Sequence, residues 1–143
     1  MTKRTIHSAL FILTAAIILS CTVLVSPAHG ATADEALGVK EYEDFRKVLE
    51  PLQHEALPRN DFNQIRTKAR ELVKLGEPIL NLGVPRGVDE KKTGDFKEGL
   101  DTFREALSRF KRDAGGGTDE QLRESYSAVH DSFEMLAAML PKK

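Results

Sequence analysis

The chain is predicted to be all-α: an antiparallel four-helix bundle in up-down-up-down order, following an N-terminal signal segment. Three observations lead there. Apolar residues recur at intervals of three and four through four separate stretches, the spacing that lays a stripe along one face of a helix. No stretch alternates apolar with polar residues in the period of two that a half-buried strand needs. Two of the three connections are very short, which makes consecutive helices neighbours of opposite direction.

The N-terminus reads as an export signal. Lys3 and Arg4 precede an apolar run from Ala9 to Val25, which breaks at Ser26 and Pro27 before small residues. That is the three-part layout of a secretory leader. Cleavage after Gly30 or after Ala33 suits a peptidase that wants small side chains, so residues 1–30 are assigned to the signal and 31–143 to the bundle. The one cysteine, Cys21, lies inside the leader, in a stretch that faintly resembles a lipoprotein cleavage box but carries bulky Leu19 where that box wants a small residue. Without the leader the chain has no cysteine, hence no disulfide and no thiolate ligand. A periplasmic or secreted protein follows, with no membrane attachment in the mature form unless Cys21 is lipidated.

Removing the leader takes two basic residues and no acidic ones from a formal net charge of −1, leaving −3. Such an even balance, with no basic stripe interleaved with aromatics, excludes a nucleic-acid binder. About 110 residues remain, enough for one domain with one core.

The first helix is expected over 39–57, with Tyr42, Phe45, Leu49, Leu52 and Ala56 on its stripe and Val48 widening it. Pro51 interrupts it and is expected to kink it, and Pro58 stops it. Asp61 caps the second helix, with Gln64 completing a capping box. Ile65, Ala69, Leu72, Gly76 and Ile79 carry that helix's stripe, Pro78 bends it late, and Gly83 followed by Pro85 ends it. The connection over 83–94 is the longest and carries Asp89, Glu90, Lys91 and Lys92, marks of exposure.

The third helix, over 95–114, is heptad-regular at Phe96, Leu100, Phe103, Leu107, Phe110 and Ala114, and Gly115, Gly116 and Gly117 are expected to break it into a tight return. The fourth, over 118–140, carries Leu122, Tyr126, Val129, Phe133, Leu136 and Leu140. Thr118 with Gln121 three residues on is a capping box.

Most chemical signatures are absent. Gly115 to Gly117 follow a helix and lack the Lys and Ser/Thr of a phosphate-binding loop. His54 and Glu55 begin like a zinc-peptidase helix, but Pro58 stands where the second histidine belongs. No serine or cysteine nucleophile lies in a recognisable frame with a histidine, so an enzyme is not expected.

Two histidines remain in the mature chain, His54 and His130. His130 lies about 80° from the centre of its helix's apolar stripe, and Glu134 follows it by one turn. Imidazole and carboxylate at that spacing can face one metal ion, although the same spacing also serves as an ordinary surface pair contributing about 0.2–0.5 kcal/mol. His54 at a helix end can equally interact with the terminal carbonyls. In an up-down-up-down bundle the first and last helices are neighbours, and counting residues from their ends separates the two histidines by about 6–12 Å along the axis.

Asp95-Phe96-Lys97 before the third helix and the run from Tyr126 to Glu134 resemble the periplasmic four-helix cytochromes, both the soluble b-type and the c-prime type. In that group a histidine late in the final helix is the axial haem ligand, and the resemblance gives His130 that place. The two cysteines of the c-prime type fall at Tyr126 and Val129, which excludes a covalent haem. The b-type's methionine ligand belongs on the first helix, whereas Met135 and Met139 both lie on the last. What the resemblance then allows is a bis-histidine haem through His54 and His130, provided that Pro51 turns His54 inward. The chain is also similar to exported bundles with a His-Glu-Ala-x-Pro turn after the first helix and a Val/Leu-His-x-x-Phe/Tyr-Glu segment in the last, here His54 to Pro58 and Val129 to Glu134.

The function expected from these residues is non-catalytic binding of a divalent transition metal, copper or zinc, through His54, His130, Glu134 and Glu55. The alternatives are a b-type haem electron carrier and a structural or partner-binding bundle without a cofactor.

Overall fold

A computed structural model describes residues 38–141. The expected signal over residues 1–30 lies outside the described residues. Within them the secondary structure is entirely helical: α1 is Lys40–Pro51, a π-helical turn runs over Leu52–Ala56, and α2 is Phe62–Leu82. A single 3₁₀ turn, Glu90–Lys92, leads into α3, Thr93–Gly116, and α4 is Asp119–Ala137. The apolar stripes are the faces that are buried, because burial of each stripe is the main favourable term available to a chain without cross-links.

Each helix contributes to one core. Tyr42, Phe45 and Leu49 of α1, Ile65, Leu72 and Ile79 of α2, Phe96, Phe103 and Phe110 of α3, and Leu122, Val129, Phe133 and Leu136 of α4 are all fully buried. The rings form a connected set. Phe45 meets Phe133 at 4.8 Å and Phe103 at 5.3 Å between centroids, Tyr42 stacks on Phe133 at 5.8 Å, and Phe110 meets Tyr126 edge-on at 5.9 Å. Offset and edge-to-face pairs of this kind add about 0.5–1.5 kcal/mol each beyond their area. Close helix approach is set by two glycines. A Cβ at Gly99 would come within 2.9 Å of a Leu136 methyl, and one at Gly76 would collide with the end of Leu107.

The starts of α2 and α4 follow the expected caps. Gln64 N donates to Asp61 Oδ1 at 3.0 Å, and this is one arm only, not the full box. At Thr118 both arms form: Gln121 N donates to Thr118 Oγ1 at 3.2 Å and Thr118 N donates to Gln121 Oε1 at 2.9 Å. Pro78 sits inside α2 without ending it, and Gly83 ends it with a φ of 67°.

Two elements depart from expectation. The helix α3 continues through Gly115 and Gly116, and only Gly117 and Thr118 separate it from α4. Arg66 of α2 explains the extension, since its guanidinium donates to the carbonyls of Asp113 at 2.9 Å, Ala114 at 3.3 Å and Gly117 at 2.8 Å. Asp113 and Ala114 stand in the last turn, whose carbonyls run short of helical donors; Asp113 also accepts from Gly117 N at 2.8 Å, and the added bonds from a neighbouring helix offset the low helix propensity of glycine. Gly117 is required where the chain leaves, because a Cβ there would lie 2.9 Å from the Asp113 backbone. The second departure follows Pro51, where the first helix widens into the π turn instead of continuing as α-helix to residue 57.

Truncating Phe133, which touches rings from α1 and α3, tests the shared core. Phe133→Ala should cost about 3–5 kcal/mol, read as a fall in the urea midpoint of the helical signal. An unchanged midpoint would be inconsistent with this packing.

Candidate functional site

The residues singled out from the sequence sit on and beside α1 and α4. Pro51 has no amide proton, so the α-helical ladder loses one donor there. Leu52 N bonds back to the carbonyl of Leu49, and the following turns widen to five-residue steps, with Leu57 N on Leu52 O at 2.9 Å and Asp61 N on Ala56 O at 2.9 Å. Leu52 and Ala56 stay buried through this change. His54, on the opposite side of the turn, stays out: its side chain is 59% exposed and its Nε2 lies 2.8 Å from Glu50 Oε2. Pro51 therefore does not turn His54 inward. Glu55 beside it is exposed as well.

On α4, His130 is more enclosed, with 22% of its side chain exposed, and its Nδ1 lies 3.1 Å from Oδ1 of the adjacent Asp131. Glu134 is turned toward α1, where Arg46 Nη2 donates to both of its carboxylate oxygens at 3.1 Å. Arg46 Nε also lies 4.0 Å from Glu50 Oε1. The result is a polar seam, His54 to Glu50 to Arg46 to Glu134, that crosses from one helix to the other beside the aromatic core, with the Arg46 guanidinium 5.8 Å from the Phe133 ring centre.

Sequence reasoning missed two members of this seam. Glu50 was recognisable, because it stands one turn before His54 just as Glu134 stands one turn after His130. Arg46 was not, since its partner lies on another helix and only the register decides which carboxylate it meets.

That register also separates the histidines. Tyr42 stacks on Phe133 and Arg46 meets Glu134, pairs that set His130 level with residues 45–50 of α1, about 6–14 Å along the axis from His54 at about 1.5 Å per residue. Among the described residues no group of three or more His, Cys, Asp or Glu side chains converges on one point.

No protein-family model, curated protein or solved structure matches this chain. The haem implied by the resemblance to four-helix cytochromes is therefore judged on the residues alone. They do not fit it: His54 faces out, and the rings of Tyr42, Phe45 and Phe133 fill the space between α1 and α4 that a macrocycle between the histidines would need.

Asp131 meets His130, whereas the Tyr126 hydroxyl donates to the carbonyl of Leu49 at 2.9 Å. The Tyr42 hydroxyl, equally buried, has no hydrogen-bond partner among the described residues. Burial pushes both phenols well above their ordinary value of 10.0, with the charges of Glu41 and Glu50 adding to the effect at Tyr42 and Tyr126 respectively. Above that pH the unfolded chain releases phenolic protons that the folded chain keeps, so stability is full below pH 10.0 and falls as the pH rises past it.

These are the only two tyrosines in the chain. Phenolate absorbance should thus rise only as helicity is lost; phenolate appearing with helicity intact would contradict their burial. Tyr126→Phe should cost about 1 kcal/mol for the lost bond, while Tyr42→Phe, which removes an unpaired hydroxyl, should be neutral or stabilising by about 1 kcal/mol. Both are read from urea midpoints.

Proposed function

We propose that this chain is an exported, non-catalytic four-helix bundle of up-down-up-down order that binds a divalent transition metal, copper or zinc, with His54 as its lead ligand. The pairings of Gly99 with Leu136, Phe103 with Phe133 and Arg109 with Glu124 support opposite directions for α3 and α4. Tyr42 with Phe133 and Leu49 with Tyr126 support the same for α1 and α4.

The observation that carries the metal reading is exposed His54 beside half-buried Glu50, whose Nε2 and Oε2 lie 2.8 Å apart. A tetrahedral zinc ion holds an imidazole nitrogen and a carboxylate oxygen about 3.4 Å from one another, so a small rotation of the exposed imidazole away from the carboxylate admits the ion. Glu55 stands in the same turn as an additional carboxylate. His130 and Glu134, one turn apart on α4, would make a second imidazole–carboxylate pair only if Glu134 left Arg46. A two-residue site leaves coordination positions open to water or to a partner's side chain, and an export compartment suits a thiol-free ligand set.

Calorimetric titration with copper and zinc checks this. The wild type should bind, His54→Ala and Glu50→Gln should each weaken binding at least tenfold with helicity unchanged, and binding should fall from about pH 7.5 to about pH 5.5 because a protonated imidazole has no lone pair to give. Equal affinity in wild type and His54→Ala would overturn the assignment and leave a partner-binding bundle, the reading favoured by the Arg46 clamp on Glu134. Export is tested separately. Mass spectrometry of the protein recovered outside the cytoplasm should place its N-terminus at Ala31 or Asp34, and an intact N-terminus would overturn a cleaved leader.

A further inference from the structure

A groove of about 460 Å³ runs between α2 and the C-terminal end of α3, away from the seam that joins α1 to α4. Its rim is cationic, formed by Arg66, Arg70 and Lys74 of α2 and Lys111 of α3. Its floor is apolar, with Ala69 buried and Val73 and Ala114 half-buried. One carboxylate, Glu77, stands at the rim as well.

Arg66 is already committed. It answers the carbonyls at the end of α3, the negative pole of that helix, and lies 3.0 Å from Asp119 Oδ1. The other three cations are free: among the described residues Arg70, Lys74 and Lys111 take part in no hydrogen bond or ion pair, and Lys74 makes none with Glu77 three residues on. Arg66, Arg70 and Lys74 follow one another at intervals of four, a like-charge ladder that destabilises a helix by about 0.2–0.5 kcal/mol per pair. Other cations of the surface are paired, as in Lys68 with Glu71 at 2.8 Å and Arg109 with Glu124 at 2.7 Å; those left unpaired among the described residues, such as Arg86 and Lys97, lie outside this groove. A concave site with an apolar floor and unpaired charges of one sign has the makeup of a small-molecule pocket, and its volume falls in the range of about 300–1,000 Å³ that such pockets occupy.

We propose that this groove binds a soluble organic anion: one phosphate or carboxylate, held by Arg70, Lys74 and Lys111, on a compact apolar body that lies along Ala69, Val73 and Ala114. The anion replaces the carboxylate partners that these cations lack, and the apolar body covers a floor that water now touches. Glu77 at the rim repels a second negative charge, which favours a ligand with its charge at one end.

Phenyl phosphate is the probe, with inorganic phosphate and phenol as its two halves, followed by amide chemical shifts in the purified protein. Phenyl phosphate should give saturable shifts confined to residues 66–77 and 111–115, and either half alone should bind at least tenfold more weakly. Lys74→Glu with Lys111→Glu should weaken phenyl phosphate at least tenfold. The control Arg86→Glu with Lys97→Glu makes the same change in net charge at exposed residues outside the groove and should leave binding unchanged. Shifts that never saturate, equal affinity in the two double variants, or inorganic phosphate binding as tightly as phenyl phosphate would each overturn the proposal. Co-sedimentation with phosphatidylglycerol vesicles that is lost in Lys74→Glu with Lys111→Glu would assign the anion to a lipid headgroup and overturn a soluble ligand.

Discussion

One missing amide proton shapes the α1 side of the molecule. Pro51 cannot donate to the ladder, and the backbone around it finds other partners: the carbonyl of Leu49 takes the Leu52 amide and, from α4, the hydroxyl of Tyr126. The buried hydroxyl of Tyr126 would cost about 1–3 kcal/mol if left without a partner, so this bond ties α4 to α1 beside the proline. The widened turn that follows does two things together. It keeps Leu52 and Ala56 in the core, and it leaves His54 outside, within reach of Glu50 on the preceding turn.

The seam next to it illustrates why interhelical ion pairs specify more than they stabilise. Arg46 and Glu134 are partly exposed, and pairs of that kind contribute about 0–1 kcal/mol. Their geometry is nonetheless restrictive. A guanidinium that bonds both oxygens of one carboxylate accepts few alternative registers, and a slip of α4 by one turn would move Glu134 away from Arg46 and Phe133 away from Tyr42 and Phe45. Core packing supplies the free energy; the seam helps select one alignment among several that apolar stripes alone would tolerate.

The stripes were legible because burial and periodicity are the same constraint seen twice. Leu122, Val129, Phe133, Phe103 and Leu107, all stripe positions, are buried, and the Thr118 cap forms as its sequence pattern requires. What could not be read was decided by neighbours. Three consecutive glycines signal a helix end locally, yet Arg66, forty-seven residues before Asp113 in sequence, holds the carbonyls that let α3 run through two of them. The candidate site divides in the same way. Glu50 with His54 is a one-helix spacing and could be found from sequence, whereas Arg46 with Glu134 depends on the register of α1 against α4, which no single stretch contains.

Charge is distributed unevenly over the two sides of the molecule, and the unevenness is informative about function. Where α1 meets α4 the carboxylates beside the two histidines are engaged: Glu50 by His54 and Arg46, Glu134 by Arg46, Asp131 by His130. The proposed metal must compete with these contacts, which favours the His54 end, where the imidazole itself is 59% exposed against 22% for His130. Around the groove between α2 and α3 the reverse holds, with three cations beside an apolar floor that pair neither with Glu77 at the rim nor with any other described carboxylate. Unpaired charge at a solvated surface costs little, but a ladder of it on one helix is a standing repulsion, and of its members only Arg66 has a structural task, at the end of α3. The proposed anion would give Arg70, Lys74 and Lys111 the partner that the fold does not supply.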